Sequence, residues 1–466
     1  MNEQLSAGEA AFERWRTRIG LVAGPLAFFL IPERLPALMA LAAIWWVTEA
    51  IPAAAVALLI AVLAVLSDIA TPKEAFGAFG QPLLFLFVGS FFIAEGMKVH
   101  GLGERLAASL ARLAKGPRGL LGVLMLAAFL LSLWMSNTAA TAITLPIAVS
   151  IAGTNRRLGA AVVLACAYGA SVGGVGTPVG TPPNLIGLAA LRNAGVDIGF
   201  GHWMSFGLPL GLCMLAALWL LLSVVFRLGR EATAVVLPPR GRWNRGEQSV
   251  LVALGLAVTG WLLPTVFSLA APGAEATVWI QKHLTEEIVA LLAGCSLFVL
   301  PGGPERPALH WREATRIDWS VLFLFGGGML LGDLANKTGL AGRWGDALIS
   351  FTGADSLWTL TAVVTAAAII LSEATSNTAT ATLLCPLVIA MAAKAGVSPI
   401  PPALGATLGA SFGFMLPIST APNAMAYGTG RVTIPQMVRA GILFDVIGFA
   451  VIVGGLRLLC PLLGLD

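Results

Sequence analysis

The sequence Ser136-Asn137-Thr138 occurs a second time, as Ser376-Asn377-Thr378, and both copies lie in the middle of long apolar stretches. Small polar side chains in such surroundings need hydrogen-bond partners, because an unpaired polar group in hydrocarbon costs several kcal/mol. A single copy would indicate polar contacts that hold helices together. Two copies at corresponding places indicate one site that is built from two halves.

The composition places the chain in a membrane. Of its 466 residues 57% are hydrophobic and 11% are charged, whereas soluble domains average about 25% charged residues. The five cysteines form no Cys-x-x-Cys pair and the four histidines lie far apart, so neither disulfides nor a metal centre are indicated. The net charge of +4 reflects cationic loops and indicates no nucleic-acid partner. Residues 1–20 lack a signal-peptide pattern, and the first span is expected to stay in the membrane.

Apolar stretches of bilayer length predict an all-α polytopic membrane protein. About 11 transmembrane helices are expected, two of them interrupted (157–190 and 400–428), at residues 19–32, 36–51, 53–68, 82–98, 157–190, 203–226, 247–268, 284–300, 319–335, 400–428 and 436–462. Two further apolar regions, about 119–150 and 355–392, carry the repeated motif. Each is too long for one helix and is expected to be a re-entrant hairpin with the motif at its tip, covered by protein or by a watery cavity.

The charge distribution predicts the orientation of the chain. With a cytoplasmic N-terminus and an external C-terminus, most of the 28 lysines and arginines fall on the inner side, as the positive-inside rule requires. Leu84-Phe85-Leu86-Phe87 recurs as Leu322-Phe323-Leu324-Phe325, and Asn184 recurs as Asn423, at separations of 238 and 239 residues. The two copies then lie on opposite sides of the membrane, which is the inverted-topology repeat of many secondary transporters.

The repeat divides the chain into five segments. They are expected to be N-terminal scaffold helices, a first repeat core with hairpin and broken helix, a cytoplasmic linker, second scaffold helices, and a second repeat core with hairpin, broken helix and last helix, at residues 1–80, 81–226, 227–246, 247–318 and 319–466.

A glycine- and proline-rich break follows each hairpin, at residues 171–184 and 411–423. Because proline cannot continue a helix, a half-helix is expected to end before each break and a new one to begin near Pro182 and Pro422. The free N–H groups of a new helix suit an anion, and the unwound carbonyls suit a hard cation such as Na⁺. Asn and Thr side chains at the tips offer donors to a carboxylate or sulfate.

These motifs, with Trp45-Trp46-Val47-Thr48-Glu49-Ala50-Ile51-Pro52, resemble the divalent anion/sodium symporter family of di- and tricarboxylate and sulfate transporters over nearly the whole chain. The resemblance implies a homodimer with a scaffold domain, a moving transport domain and an elevator mechanism that carries the site across the membrane. The amphipathic stretches 103–115 and 341–350 are then either linker arms between these domains or ordinary interfacial helices.

The resemblance also implies site residues, carried over by position. One Na⁺ site would use Ser132, Ser136, Asn137 and the backbone at Gly180, and the other would use Ser372, Thr375, Asn377 and the backbone at Ser419. Substrate carboxylates would meet Asn137, Thr138, Thr181, Asn377, Thr378 and Thr420. Ala421 departs from the proline that is common in the family, which leaves the preferred anion open.

Five acidic residues lie within the apolar regions. Glu373 is expected either to orient the second hairpin by hydrogen bonds or to titrate, so that H⁺ replaces a cation. Glu49 is expected to brace two scaffold helices. Glu95, Asp333 and Asp445 lie near span ends and are expected to be partly solvated.

The sequence therefore predicts an inner-membrane (plasma-membrane) secondary transporter that imports small divalent anions, foremost C4-dicarboxylates such as succinate, malate and fumarate, with Na⁺ as the coupling ion. A cation-independent dicarboxylate exchanger, or a sodium/sulfate or citrate symporter of the same fold, are the alternatives. An enzyme is not indicated, because no catalytic dyad is found at membrane depth. A channel would use pore-lining repeats from several subunits rather than two inverted halves.

Overall fold

The computed structural model of the protein describes residues 7–229, 242–340, 342–344 and 356–465, with side chains from Arg14 onward. The regular secondary structure of this part of the chain is helical except for a short two-stranded hairpin, Pro301–Gly303 with Arg306–Pro307. Eight of its helices are long and apolar enough to cross a membrane by length and composition. The predicted all-α polytopic membrane fold is confirmed.

The helices follow in an order that repeats. The first part comprises α1 (Ala7–Leu30), α2 (Arg34–Thr48), α3 (Ala53–Leu66), α4 (Pro72–Gly77), α5 (Pro82–His100), α6 (Leu102–Ala111), α7 (Gly116–Ser132), α8 (Asn137–Ala152), α9 (Arg156–Val175), α10 (Pro182–Asn193) and α11 (Phe200–Val225). The second part comprises α12 (Arg245–Ala270), α13 (Glu275–His283), α14 (Glu286–Ser296), α15 (Trp311–Ala314), α16 (Trp319–Lys337), α17 (Leu357–Ala374), α18 (Asn377–Ala395), α19 (Ile400–Gly409), α20 (Ala421–Gly428) and α21 (Ile434–Leu463).

Every expected span corresponds to a helix or to a broken pair of helices. The two interrupted spans are α9 with α10 and α19 with α20, and the two hairpins are α7 with α8 and α17 with α18. Two boundaries differ from the prediction. Helix α1 begins at Ala7, within the polar N-terminal stretch, and α14 has only 11 residues, about 16 Å of helix.

The helices form two bundles. Helices α1–α5, α12, α14 and α16 pack on one another, and we call them the scaffold bundle. Helices α7–α11 and α17–α21 pack on one another, and we call them the site bundle. Helices α5 and α16 thus pack with the scaffold bundle, although each opens one of the two segments that contain the hairpins. The bundles meet where α10 and α18 contact α16, where α11 contacts α12 and where α18 contacts α2.

Glycines set the closest helix contacts in both bundles. A Cβ atom added to Gly89 of α5 would lie 2.3 Å from the Ala290 carbonyl oxygen of α14, and one added to Gly173 of α9 would lie 2.4 Å from the Phe129 carbonyl oxygen of α7. Small residues allow this approach in membrane helices. Helix α9 is the centre of the site bundle, because every residue from Leu158 to Val175 is buried.

Two predicted connecting segments are covered only in part. The stretch expected as a first arm, 103–115, forms α6, which packs on α5, α7 and α8. Most of the second expected arm, 341–350, and residues 230–241 of the expected linker lie outside the described residues.

Candidate substrate and cation site

Each Ser-Asn-Thr motif begins a helix. Ser136 is the N-cap of α8 and accepts the Ala139 N–H at 3.3 Å, and Ser376 is the N-cap of α18 and accepts the Ala379 N–H at 3.2 Å. Capping by a serine hydroxyl satisfies one of the free N–H groups of the first turn. The motif therefore places an asparagine and a threonine at the first two positions of a helix, where further N–H groups are free.

Each break is fastened by an asparagine. The Asn184 amide donates to the carbonyls of Gly174 and Thr177, both at 2.8 Å. The Asn423 amide donates to the carbonyls of Gly413 and Leu416 at 2.8 and 3.0 Å. New helices begin at Pro182 and Ala421, as predicted. The internal repeat had identified the two asparagines, but no sequence pattern indicated which carbonyls they bind.

Both hairpin tips and both breaks line one cavity of about 430 Å³. The six residues predicted to bind substrate all line it: Asn137, Thr138, Thr181, Asn377, Thr378 and Thr420. Helices α8, α10, α18 and α20 thus present their N-termini to one space. Four helix N-termini favour a polyanion there, since each carries about half a positive elementary charge. Ala421 also lines the cavity and is exposed in it.

Neutral oxygen atoms surround the first predicted cation site. The Ser132 hydroxyl donates to Asn137 Oδ1 at 2.6 Å. A Cβ atom added to Gly174 would lie 2.6 Å from that Oδ1 and 3.2 Å from the Gly180 carbonyl oxygen, and one added to Gly180 would lie 2.8 Å from the Ser132 carbonyl oxygen. Only glycine leaves room here. The donor set fits a hard monovalent cation, because all of these atoms are uncharged oxygens.

The second predicted cation site repeats this arrangement. The Ser372 hydroxyl donates to Asn377 Oδ1 at 2.8 Å, and a Cβ atom added to Gly413 would lie 3.0 Å from the Ser372 carbonyl oxygen. Of the predicted cation residues, Ser136, Asn137, Gly180, Asn377 and Ser419 line the cavity, and Ser132, Ser372 and Thr375 are buried behind it. Within the described residues no group of three or more His, Cys, Asp or Glu side chains could hold a metal.

Glu373 ties the second hairpin to the second break. Its carboxylate accepts the N–H groups of Phe414 and Met415 at 2.5 and 2.9 Å and the Ser419 hydroxyl at 2.7 Å. This is the geometry that the orienting role requires. Asp445, in contrast, contradicts its prediction as a partly solvated residue near a span end. It lies in the middle of α21 near Glu373 and is only 6% exposed, and neither of its carboxylate oxygens has a hydrogen-bond partner among the described residues.

Charged residues of the scaffold bundle line the opening of the cavity. They come from the end of α2, the end of α5 and the start of α16, and they are Glu49, Glu95, Lys98, Arg316 and Asp318. We call this side of the molecule the open face. Glu49 pairs with Arg16 and so joins α1 to α2, as predicted. Glu95 is only 8% exposed, which is less than expected, and lies 3.4 Å from Lys98. The sequence did not indicate that these residues line the cavity.

A second cavity, of about 660 Å³, lies at the opposite side, where α5 begins and α10 ends. We call this side the closed face. None of the predicted site residues lines this cavity, and within it Arg192 pairs with Asp197 at 2.9 Å and with Glu286 at 3.3 Å.

Comparison with known proteins finds relatives over most of the chain. The sequence model of the family described as citrate transporter matches residues 43–381 and 276–464. The sodium-dependent dicarboxylate transporter SdcS of Staphylococcus aureus (strain USA300) is 32% identical, over 96% of this chain and 92% of that protein, and SdcS of strain bovine RF122 / ET3-1 is 33% identical over the same shares. The crystal structure of the Alcanivorax borkumensis YdaH transporter has a similar fold, with a TM-score of 0.56 and 17% identity over 87% of this chain and 88% of that one.

Proposed function

Since the chain belongs to the divalent anion/sodium symporter family, it is a membrane transporter and not an enzyme, and we propose that it carries C4-dicarboxylates such as succinate, malate and fumarate together with Na⁺. The observation that supports this most is the single cavity that both tips and both breaks line. The SdcS relatives are sodium-dependent dicarboxylate transporters by name, which agrees with the proposal.

The site has the means to bind and to release a dianion. Asn137, Thr138, Asn377 and Thr378 would donate to its two carboxylates, helped by the helix N-termini. The tips and breaks contribute no lysine or arginine to the cavity. Affinity would then depend on co-bound cations behind the tips, in the two clusters of oxygens at Asn137 and Asn377. Loss of Na⁺ would weaken anion binding, which couples the two gradients.

We further propose that the structure is the inward-open state of an elevator. The charge distribution assigns the open face to the cytoplasm, with the N-terminus inside and the C-terminus outside. The site bundle would move against the scaffold bundle and bring the same cavity to the closed face. A homodimer in the plasma membrane is part of the proposal, and the mass of the purified protein in nanodiscs tests the dimer.

Uptake by reconstituted vesicles tests the function. With an inward Na⁺ gradient, vesicles should accumulate labelled succinate, and replacement of Na⁺ by K⁺ or choline should abolish accumulation. Uptake that ignores Na⁺ and requires dicarboxylate inside the vesicles would instead establish an exchanger. Inhibition of succinate uptake by excess sulfate would point to a sulfate symporter.

A citrate symporter is the second candidate, because the matching family model is described as citrate transporter and Ala421 leaves space beside the second tip. Ala421→Pro restores the residue that the family commonly has, at a helix position that proline tolerates. If Ala421 makes room for a larger acid, the variant should lose citrate inhibition of succinate uptake and keep inhibition by malate. Equal effects on both acids would exclude this role.

A further inference from the structure

The two bundles are joined at the closed face by polar contacts. Arg192, near the end of α10 in the site bundle, pairs with Glu286 at the start of α14 in the scaffold bundle, at 3.3 Å. Next to it, the Asn193 amide donates to Asp333 of α16 at 2.7 Å. Because the partners belong to different bundles, these contacts must break when the bundles move relative to each other.

The internal repeat places counterparts of these residues at the open face. Thr285-Glu286-Glu287-Ile288 matches Thr48-Glu49-Ala50-Ile51, so that Glu49 corresponds to Glu286. The separation that relates Asn184 to Asn423 relates Arg192 to Arg431, and the one that relates Leu84 to Leu322 relates Glu95 to Asp333. The counterpart of Asn193 is Val432. Of the two contacts at the closed face, only the one between Arg192 and Glu286 can therefore have a complete equivalent at the open face, between Arg431 and Glu49.

That equivalent contact is absent from this conformation. Glu49 lines the opening of the cavity, its side chain is 56% exposed, and it pairs with Arg16 of its own bundle. Arg431 donates to the Gly153 carbonyl of its own bundle at 2.6 Å. Residues that are joined across the bundles at the closed face are thus separate at the open face.

We propose that Arg431 and Glu49 pair across the bundles when the cavity opens at the opposite face, as Arg192 and Glu286 pair here. The inference rests on the proposed transport cycle. One arginine–glutamate contact is exchanged for another, so this contact does not by itself favour either end state, whereas the Asn193–Asp333 contact, which has no equivalent, favours the present state. A contact in one state alone would shift the population towards that state.

The fraction of molecules in the present state can be measured by the accessibility of a residue at the open face. Val321 lines the cavity opening, and its repeat counterpart at the closed face, Leu83, is only 4% exposed. A cysteine at position 321 (V321C) should therefore react with a membrane-impermeant maleimide from the cytoplasmic side in this state and be covered in the other. The same protein without V321C gives the background from the native cysteines.

The test combines variants of the two contacts. E286Q removes the closed-face contact and should slow labelling of V321C roughly two- to fivefold, the range that a partly exposed ion pair supports. Adding R431Q should restore the labelling rate, because the other state then loses its contact as well, whereas R431K should not restore it. R439Q removes an exposed arginine of α21 and is the matched control. R16Q tests whether Glu49 pairs with Arg16 alone.

The results decide between the possibilities. Restoration by R431Q, but not by R439Q or R16Q, supports the alternating pair. The alternating pair is refuted if R431Q leaves the slow labelling rate of E286Q unchanged. It is also refuted if R439Q restores that rate as fully as R431Q does. The labelling needs neither substrate nor Na⁺. A failure of this pattern with normal Na⁺-dependent succinate uptake therefore refutes the alternating pair alone, and the expected pattern without such uptake refutes the transport proposal alone.

Discussion

The two halves of the site share one framework and differ in charge. In both, a serine caps the tip helix, a second serine bonds the tip asparagine, and an asparagine fastens the break. The second half places Glu373 next to Ser372, where the first half has Leu133 next to Ser132. The Glu373 carboxylate accepts the Ser419 hydroxyl of the break, whereas Leu133 has no charged group and accepts the Thr177 hydroxyl through its backbone carbonyl, at 2.6 Å.

This difference indicates what each part of the framework does. The features common to both halves are those that present donors and neutral oxygens to the cavity. The carboxylate lies behind the second tip only, and it adds a negative charge beside one of the two proposed cation sites. We therefore expect the halves to be equally necessary for transport and unequal in cation affinity.

The largest expected effect concerns what the halves share. Asn137→Ala and Asn377→Ala should each abolish succinate uptake, because each removes a donor to the anion and an oxygen of a cation site. Folding and dimerisation should be unchanged, as measured by thermal unfolding and by mass in nanodiscs. Asn336→Ala, at an exposed position of α16, is the control. Near-normal uptake in either tip variant would show that the site residues are misassigned.

The next effect distinguishes the packing of the two cation sites. Gly174→Ala puts a methyl group 2.6 Å from Asn137 Oδ1, whereas in Gly413→Ala the methyl group lies 3.0 Å from the Ser372 carbonyl oxygen. We expect Gly174→Ala to lower uptake roughly tenfold or more, since small displacements of a binding group are costly, and Gly413→Ala to lower it less. Gly454→Ala has open space around it and should transport normally. Equal losses in the two glycine variants would argue against the tighter first site.

Glu373→Gln tests the difference in charge. It removes the charge from hydrogen bonds that are worth about 1.5–3 kcal/mol when an ion accepts them. The Na⁺ concentration for half-maximal uptake should rise roughly tenfold, and uptake at saturating Na⁺ should recover. Glu104→Gln, at an exposed glutamate of α6, is the control. A lower maximal rate with unchanged Na⁺ dependence would mean that Glu373 serves folding only.

The smallest effects on transport are expected in the segments that follow α5 and α16, where the variants change stability instead. Arg105 pairs with Glu247 at 2.6 Å with side chains 17% and 4% exposed, and its repeat counterpart Arg343 pairs with Glu33 with both side chains 56% exposed. Arg105→Gln leaves the buried Glu247 carboxylate without its positive partner, with only the Asn244 N–H among the described residues still donating to it, and should destabilise the protein by about 3 kcal/mol. Arg343→Gln should lower the melting temperature by a much smaller amount, because an exposed ion pair contributes little. Equal shifts in the two variants would contradict this difference in burial.

The exposed pair also has a defined pH dependence. The hydrogen bond from Arg343 lowers the pKa of Glu33 below its ordinary value of 4.5. The folded state thus favours the ionised carboxylate, so its small contribution is complete at neutral pH and is lost as the pH falls through the lowered pKa. Thermal unfolding of the protein and of Arg343→Gln should differ least at acidic pH, and a difference that grows on acidification would be inconsistent with this pair.

The sequence predicted the fold, and the residues that it proposed for the site lie in or behind one cavity, because both depend on repeated local patterns. Apolar length located every span, and proline with glycine located both breaks. The internal repeat also aligns Glu49 with Glu286. This correspondence became informative only when the structure showed that Arg192 pairs with Glu286. No sequence pattern indicated which side chains from distant segments would come into contact. The position of Asp445 beside Glu373 depends on how α21 packs on α17, and the lining of the cavity by Lys98 and Arg316 depends on how the two bundles meet.

A structure of the protein in nanodiscs with succinate and NaCl tests the central claim most directly, namely that two inverted halves form one site. We predict the dianion between the two hairpin tips, with one carboxylate on Asn137 and Thr138, the other on Asn377 and Thr378, and cations behind both tips. Succinate bound to one tip alone, or in the cavity of the closed face beside Arg192, would contradict it.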